Sequence, residues 1–507
     1  MEIKDNNINK KLEQSELVDS TNEKKTAKKD NITQQAAENK DYDSVLNSSL
    51  CDEFFNKFEN YKEQSIQTQR FKYNDVQALI KRLSRITDFK IKNLGKSVEG
   101  RNINQIKIGK GKVKVLLWSQ MHGDEPTGTA AIFDVLNFFQ KEDEYSELKK
   151  QLLNNLSIYF VPMVNPDGAE VFSRRNALDI DLNRDAITQT APESKILTKV
   201  RADLLPDFGF NLHDHNQHYR VDGTTNSAII SLLAPAFDEA ENINPIRVNS
   251  IKLVVGLNNL LEKYIPGHIA RFRSTFDARC FGDQFQKAGT STILIEAGNI
   301  LDDPEKQLVR KFNFLLILCS LISIAEGSYE QEDIKKYDKI PFVKQDYFDL
   351  IIRNAQIKGE GKLFNVDIGI DRDEVTILDG KNDKNYIKSK IRDLGDLAAY
   401  GAYEEFDASG YEVEAGRIFP QVLNSIRSLK KLNFETFVDL LKMGYTTLKL
   451  KKLPYGVDFS RLPINLVAGN KEINNAVKLN NKANFILKKH GLVVAVIVNG
   501  FFYALEE

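Results

Sequence analysis

Cysteines and long apolar runs are scarce in this sequence of 507 residues. Three cysteines exclude a disulfide scaffold and any zinc module built from several cysteines. The longest apolar run, residues 312–325, covers about 14 residues and is too short to span a bilayer, so it predicts a buried helix. The N-terminus lacks the apolar core of a secretory signal. A cytoplasmic chain with no membrane partner is therefore predicted.

Neither sign of charge is in excess. Lys and Arg number 70, Asp and Glu number 71, and the net charge is −1. Nucleic-acid binders normally carry a basic excess on one face, so no nucleic-acid partner is predicted. The hydrophobic fraction of 42% is typical of a globular protein with more than one core.

Composition and periodicity divide the chain into four parts. Residues 1–53 form a polar tail, and because residues 1–41 contain no aromatic residue, we expect it to be disordered or loosely helical. Strand and helix patterns alternate over residues 54–327, the expected catalytic domain. Residues 328–338 are predicted to be a charged linker. Residues 339–507 are predicted to form a mixed, β-rich accessory domain.

The alternating region predicts an α/β fold. Apolar strands are predicted at 113–119, 156–164, 208–212 and 292–296, and helices at 128–140 and 304–325. Such alternation predicts a mixed, twisted sheet with helices on both faces. Ligands of such sheets bind at the carboxyl ends of the strands.

The accessory domain contains one helical pattern, at residues 421–441, and a strong hairpin signal at Asn499–Gly500. His490 is the only histidine of this domain. We therefore expect a non-catalytic module, which either covers the active-site cleft or mediates homo-oligomer formation.

Five of the six histidines lie in the predicted α/β region. His122 and Glu125 follow a predicted strand at a spacing that lets both bind one metal ion, although a surface turn with a helix-capping acid fits the pattern equally. A catalytic zinc typically takes a third protein ligand from elsewhere in the sequence. His213 lies nearest the end of its strand, and His215 and His218 are the alternatives.

Three further segments follow predicted strands. The NPDG sequence at 165–168 is typical of a β-turn. Residues 173–185 hold three arginines, which indicate either a solvated loop or recognition of an anion. Glu296 ends the apolar run STILIE. If it is held partly desolvated in a cleft, its pKa rises and suits a general base.

Together and in this order, these segments resemble the zinc metallocarboxypeptidases of the carboxypeptidase A/B type, the funnelin-like peptidases. HGDE resembles the HxxE motif of that family, NPDG its turn, and DLNRD its substrate-binding segment. FNLH resembles the strand of the third ligand, and ILIEAG the strand of the base. The resemblance covers roughly residues 70–327 and implies one Zn²⁺ per chain.

The resemblance implies roles for nine residues. Zinc is bound by His122, Glu125 and His213. The catalytic residues are Glu296, as general base, and Arg174, which polarises the scissile carbonyl. The substrate is bound by Asn183 and Arg184, which hold its C-terminal carboxylate, with Arg175 as the alternative to Arg174. Asp181 orients the first zinc histidine.

The sequence departs from the family at two points. No tyrosine occurs between Ile265 and Glu296, so we expect substrate clamping to differ, with Phe281 or Phe285 closing the pocket. Asp124 stands where the family often has an arginine, which affects the subsites for longer peptides.

The predicted function is that of a zinc-dependent metallocarboxypeptidase, which hydrolyses the C-terminal peptide bond with a glutamate as general base for a water at zinc. One alternative is a zinc amidase or deacylase acting on a γ-linked cell-wall peptide or an N-acyl amino acid. Another is a binding protein of the same fold without catalysis. Each partner, a peptide or an acyl amino acid, would present a free carboxylate.

Overall fold

The computed structural model describes residues 49–377, 384–425, 434–453, 458–469 and 471–505. The described chain forms two compact units, which divide between Gln345 and Asp346. Most of the predicted tail lies outside the described residues.

The first unit is built on an eight-stranded sheet with the order β1-β2-β4-β3-β5-β9-β7-β8. Its strands are β1 Lys90–Lys96, β2 Asn102–Gly109, β3 Val113–Ser119, β4 Leu156–Val161, β5 Phe208–Asp214, β7 Ile230–Leu233, β8 Ile269–Arg271 and β9 Ser291–Ala297. The central strands β4, β3, β5 and β9 are parallel, whereas β2 and β7 run antiparallel to their central neighbours. The predicted mixed sheet is confirmed. A separate pair is formed by β6 Arg220–Val221 and β10 Val343–Lys344.

Helices cover both faces of this sheet. They are α1 Ser49–Asn56, α2 Tyr73–Leu83, α3 Thr127–Gln140, α4 Ser146–Asn155, α5 Pro166–Glu170, α6 Pro192–Leu204, α7 Pro245–Leu261, α8 Phe281–Lys287 and α9 Gln307–Glu326. Along β3, Val115 and Leu117 join a core that includes residues of α3, α7 and α9. Leu116 and Trp118 join a second core with residues of α6 and α8. The alternation of side chains along a strand produces these two layers.

Helix α9 is the long apolar element of the chain. Its length and hydropathy alone would allow it to cross a membrane, but most of the helix is buried inside the first unit. The predicted burial of this helix is confirmed, but the expectation that it is too short to span a bilayer is wrong, because the helix has 20 residues. A disulfide joins Cys319 on this helix to Cys51 on α1.

The first unit extends beyond the predicted domain limits at both ends. Cys51 and Phe54 on α1 are buried, so the folded part begins before residue 54. The segment predicted as a linker forms two short 3₁₀ helices, Ser328–Gln331 and Ile334–Lys339. Tyr329 and Tyr337 anchor them, and the Tyr337 hydroxyl accepts a hydrogen bond from the amide of Ala234 at 3.1 Å. The segment was predicted to be a linker because most of its residues are charged or polar, although its two tyrosines are buried.

The second unit contains two sheets. The larger has the order β13-β12-β11-β15-β19-β20-β21, with β14 paired to β11, and the smaller is the parallel set β16-β17-β18. The strands are β11 Phe348–Gly359, β12 Lys362–Ile377, β13 Lys384–Gly395, β14 Ala402–Asp407, β15 Glu412–Ala415, β16 Arg417–Leu423, β17 Tyr445–Leu450, β18 Asn465–Ala468, β19 Phe485–Lys489, β20 Leu492–Val498 and β21 Phe501–Ala504. The predicted β-rich character is confirmed.

Two local predictions for this unit have different outcomes. Asn499 and Gly500 have φ of 52° and 84° and join β20 to β21, so the hairpin is confirmed. The helix predicted at 421–441 is wrong at its start, because residues 421–423 belong to β16. A helix, α10, covers Phe434–Lys442, and residues 426–433 lie outside the described part of the chain.

Candidate active site

The candidate site lies at the carboxyl ends of three adjacent parallel strands. The loop after β3 carries His122 and Glu125, β5 carries His213, and β9 carries Glu296. Because β5 lies between β3 and β9, these side chains reach the same edge of the sheet. The loop after β3 packs closely on α5, where a Cβ on Gly123 would lie 2.0 Å from the carbonyl carbon of Gly168. Only glycine fits at residue 123.

Three buried side chains converge in this corner. Nδ1 of His122 and Nδ1 of His213 each lie 2.7 Å from an oxygen of the Glu125 carboxylate. Their candidate ligand atoms all lie within 4.8 Å of one another. Two imidazoles and one carboxylate form a donor set that suits Zn²⁺.

The hydrogen bonds around His122 place its ring between two carboxylates, those of Glu125 and Asp181. Nε2 of His122 lies 3.0 Å from Oδ1 of Asp181, so Nε2 carries a proton. Nδ1 also lies 3.0 Å from Nη1 of Arg174, which can only donate. The negative charges of Glu125 and Asp181 therefore favour a positive charge in this corner, either on a protonated His122 ring or on a metal ion bound at Nδ1. Burial lowers the pKa of His122, but Glu125 and Asp181 outweigh it and raise the pKa to about 9.

His213 is the histidine of its strand that joins the cluster. Burial lowers the pKa of His213, which keeps its ring neutral and suited to metal binding. His215 has other partners, since its Nδ1 lies 2.9 Å from the carbonyl of Asn216 and its Nε2 lies 3.3 Å from Oγ of Ser231. His218, the other alternative, lies outside the group formed with Glu125.

Glu296 lies beside the cluster. It is paired in register with His213 across β5 and β9, so the two side chains point to the same face of strands about 4.8 Å apart. Burial, followed by the negative charge of Glu125, raises the pKa of Glu296 to about 8. A carboxyl group in this environment can both accept and release a proton near neutral pH.

The two candidate catalytic arginines have different surroundings. Arg174 places Nη1 3.1 Å from Oε1 of Glu125 and Nε 3.1 Å from Oδ2 of Asp181, and 43% of its side chain is exposed. Arg175 points away, with Nη1 2.8 Å from the carbonyl of Asp179. The geometry favours Arg174 over Arg175.

Asn183 and Arg184 lie on a 3₁₀ turn, Leu182–Arg184, which is held against the start of α8. Oδ1 of Asn183 accepts a hydrogen bond from the amide of Phe281 at 3.0 Å, so the side-chain NH₂ of Asn183 remains the donor for a ligand. Nε of Arg184 lies 3.5 Å from Oδ2 of Asp277, and Nη1 lies 3.1 Å from Sγ of Cys280. The guanidinium group already faces one carboxylate.

The prediction that Phe281 or Phe285 closes the pocket is wrong. Both rings are buried in the core beneath the sheet, where Phe285 packs against Trp118 with ring centroids 4.9 Å apart. Their spacing along α8 turns them towards that core rather than towards the cleft.

Tyr219 lies near the site, and the sequence did not single it out. Its ring packs against those of His215 and Phe272, with centroids 4.8 and 6.0 Å apart. Burial and then the negative charge of Glu296 raise the pKa of Tyr219, so its hydroxyl lies within electrostatic range of that carboxyl. Tyr219 follows an irregular turn, and no periodicity in the sequence indicates which way its ring points.

Comparison with known proteins finds similarity to zinc carboxypeptidases, the family that the sequence motifs resemble. Residues 75–221 match the model of the zinc carboxypeptidase family. Carboxypeptidase SOL1 of Arabidopsis thaliana is 30% identical over 118 residues, covering 22% of this chain and 24% of that protein. Carboxypeptidase D of Drosophila melanogaster is 32% identical over 117 residues, covering 19% of this chain and 8% of that protein. This chain therefore spans about a quarter or less of the length of these relatives.

Among solved structures, carboxypeptidase A of Helicoverpa armigera matches with a TM-score of 0.41 and 15% identity. That match covers 56% of this chain and 80% of the insect chain.

The fold and the site define a domain whose buried side chains could hold a metal ion. The range that matches the family model includes the His-Glu-His group and ends before Glu296. Residues 75–221 of the first unit therefore resemble the zinc carboxypeptidase family, whose members bind one zinc ion. His122, Glu125 and His213 are the residues that would hold it.

Proposed function

We propose that this chain is a zinc-dependent metallocarboxypeptidase, which removes the C-terminal amino acid from peptides. One observation carries the proposal. Glu296 lies in register beside His213, at the edge of a buried His-Glu-His group that favours a cation. A zinc ion held by His122, Glu125 and His213 would supply Lewis-acid chemistry, polarising the scissile carbonyl and lowering the pKa of a water molecule.

The other side chains of the site have separate roles in the proposed reaction. Glu296 accepts a proton from the attacking water and passes it to the leaving amine. Arg174, with its partly exposed guanidinium group beside Glu125, stabilises the negative charge that develops on the carbonyl oxygen. Tyr219, whose pKa is raised by burial and then by the negative charge of Glu296, is a candidate to contact the substrate.

Selection of the last residue rests on Asn183 and Arg184. A guanidinium group binds a carboxylate with two parallel hydrogen bonds, and the NH₂ of Asn183 supplies a further donor. An internal peptide bond presents no carboxylate there, so the proposed enzyme removes one residue at a time. The same pair would accept any substrate with a free carboxylate.

The test is release of the terminal amino acid from N-blocked dipeptides by the zinc-loaded protein. Each dipeptide is compared with its C-terminally amidated twin, with and without a zinc chelator. We expect cleavage that the chelator abolishes and that amidation reduces by at least about tenfold, since amidation removes the charge that Arg184 binds.

Two results would contradict the proposal. Cleavage that survives both the chelator and amidation would remove zinc and the carboxylate subsite from the mechanism. Cleavage restricted to γ-linked peptides or N-acyl amino acids, tested in parallel, would instead establish the amidase or deacylase function.

A further inference from the structure

Lys306 is a buried lysine behind the proposed site. It directly precedes α9, has a φ of 51°, and is 6% exposed. Its ammonium group reaches the carboxyl ends of β5 and β9, on which His213 and Glu296 lie.

The ammonium group makes three contacts there. Nζ of Lys306 lies 3.2 Å from Oδ2 of Asp214 and donates to the backbone carbonyls of His215, at 3.3 Å, and Ala297, at 3.1 Å. Asp214 directly follows the candidate ligand His213, and Ala297 directly follows the candidate base Glu296. One side chain therefore joins the ends of the two strands. It contacts both members of their last backbone pair, Asp214 and Ala297, and the next residue, His215.

Asp214 extends the connection to the third segment of the site. The hydroxyl of Thr127, two residues after Glu125, donates to Oδ2 of Asp214. The backbone amide of Asp214 donates to Oε2 of Glu125 at 3.2 Å. The ion pair of Lys306 and Asp214 thus contacts the segment that follows β3 and the ends of β5 and β9.

The start of α9 does not require this lysine side chain. Asp303 accepts hydrogen bonds from the amides of Gln307 and Leu308, both at 2.7 Å, and so satisfies two of the free donors of the first turn. The Lys306 side chain turns instead towards the strand ends.

We propose that Lys306 is a positioning residue for the site, which fixes the spacing between the metal-binding segment around His213 and the base-bearing segment around Glu296. The proposal rests on the proposed function for its catalytic consequence. Its effect on metal affinity can be measured whether or not the protein cleaves peptides.

The test compares Lys306→Met with a matched control, Lys149→Met. Lys149 is also buried, pairs with Asp143 at 2.6 Å and donates to the carbonyl of Lys141, away from the site. A third variant, Lys306→Met with Asp214→Asn, removes both charges of the pair. Each protein is assayed for zinc affinity by competition with a chromogenic chelator, for melting temperature, and for kcat and KM.

We expect Lys306→Met to weaken zinc binding by about tenfold or more, as loss of a residue that orients a ligand typically does. We expect kcat to fall by a similar factor with KM within about threefold, because Arg184 makes none of these contacts. The double variant should regain melting temperature but not zinc affinity, since the carbonyls of His215 and Ala297 still lack the hydrogen bonds that Lys306 donates. Lys149→Met should lower only the melting temperature.

Either of two results would overturn the proposal. One is wild-type zinc affinity and kcat in folded Lys306→Met protein. The other is full recovery of zinc affinity in the double variant, which would assign the effect to the unpaired Asp214 carboxylate. If Lys306→Met does not fold, the double variant decides the question. If the wild-type protein cleaves no peptide, zinc affinity still tests this inference, and only the proposed function fails.

Discussion

Oδ1 of Asp181 lies 3.0 Å from Nε2 of His122, on the side of the imidazole ring opposite Glu125. The other oxygen of Asp181 accepts from Nε of Arg174 at 3.1 Å. Asp181 therefore fixes the tautomer of one candidate zinc ligand and the direction of the arginine beside it. Carboxylates that hold a ligating histidine in this way raise its basicity.

Asp181→Asn should weaken zinc binding by about tenfold to 100-fold, because the amide is a poorer acceptor for the ring N–H of His122. Competition with a chromogenic chelator measures this change. Asp185→Asn is the matched control, since Asp185 is buried and accepts from the amides of Thr190 and Ala191 rather than from His122. Equal zinc affinity in the two variants would contradict the role given to Asp181.

Glu296→Gln should abolish turnover while leaving zinc bound. Loss of a general acid–base group typically costs about 10² to 10⁴ in rate, and glutamine cannot take the proton. Zinc content is measured on the same sample as kcat. Glu193→Gln, at a buried glutamate that accepts from the amide of Val98 at 3.1 Å, should leave kcat unchanged. Near-normal turnover of the Glu296 variant would mean that another group is the base.

The strands of the site could be predicted from the sequence because their signals are local. β3 has the predicted limits, Val113–Ser119, since a continuous apolar run before a polar corner is typical of a buried parallel strand. The sequence favoured His213 over His215 as the third metal ligand, because His213 lies nearest the end of its predicted strand. In the structure, His213 is the one that contacts Glu125.

The remaining features depend on contacts between distant segments. Nothing near Lys306 in the sequence shows that it meets Asp214, which is 92 residues earlier in the chain. Tyr329 and Tyr337 lie in a polar segment, yet both are buried within the first unit. Phe281 and Phe285 are apolar residues before the base, and only the packing of α8 shows that they face the core.

Arg184→Ala should raise KM by about tenfold to 100-fold with a smaller change in kcat, because it removes charge-assisted hydrogen bonds to the substrate carboxylate. Steady-state kinetics on a blocked dipeptide measure both constants. Arg175→Ala is the control, since that side chain contacts Asp179 rather than the cleft, and its KM should stay within about twofold of wild type. If Arg175→Ala raised KM and Arg184→Ala did not, the two roles would be reversed.

Asp277→Asn should lower KM. Oδ2 of Asp277 lies 3.5 Å from Nε of Arg184 and competes with the substrate carboxylate for that guanidinium group. The pair is partly exposed, so the gain is expected to be about twofold to fivefold. The effect should disappear with amidated dipeptides, which present no carboxylate. An increase in KM would show instead that Asp277 orients Arg184 for the substrate.

Asp283 should make the first unit less stable as the pH rises. Burial raises the pKa of Asp283 to about 7, although its Oδ1 accepts from the amide of Asp277 at 3.3 Å. In the unfolded chain the pKa is about 3.9. Between about pH 4 and 7 the folded state therefore holds a proton that the unfolded state has lost, and the free energy of unfolding falls across this range.

Asp283→Asn removes this titration and keeps the acceptor oxygen. The variant should match the wild-type protein near pH 4 and exceed it in stability by about 2–4 kcal/mol at pH 8, where Asp283 is ionised in both states. Denaturant unfolding at several pH values measures the difference. A gap that stays constant from pH 4 to 8 would show that the pKa of Asp283 is the same in the folded and unfolded protein, and would contradict the prediction.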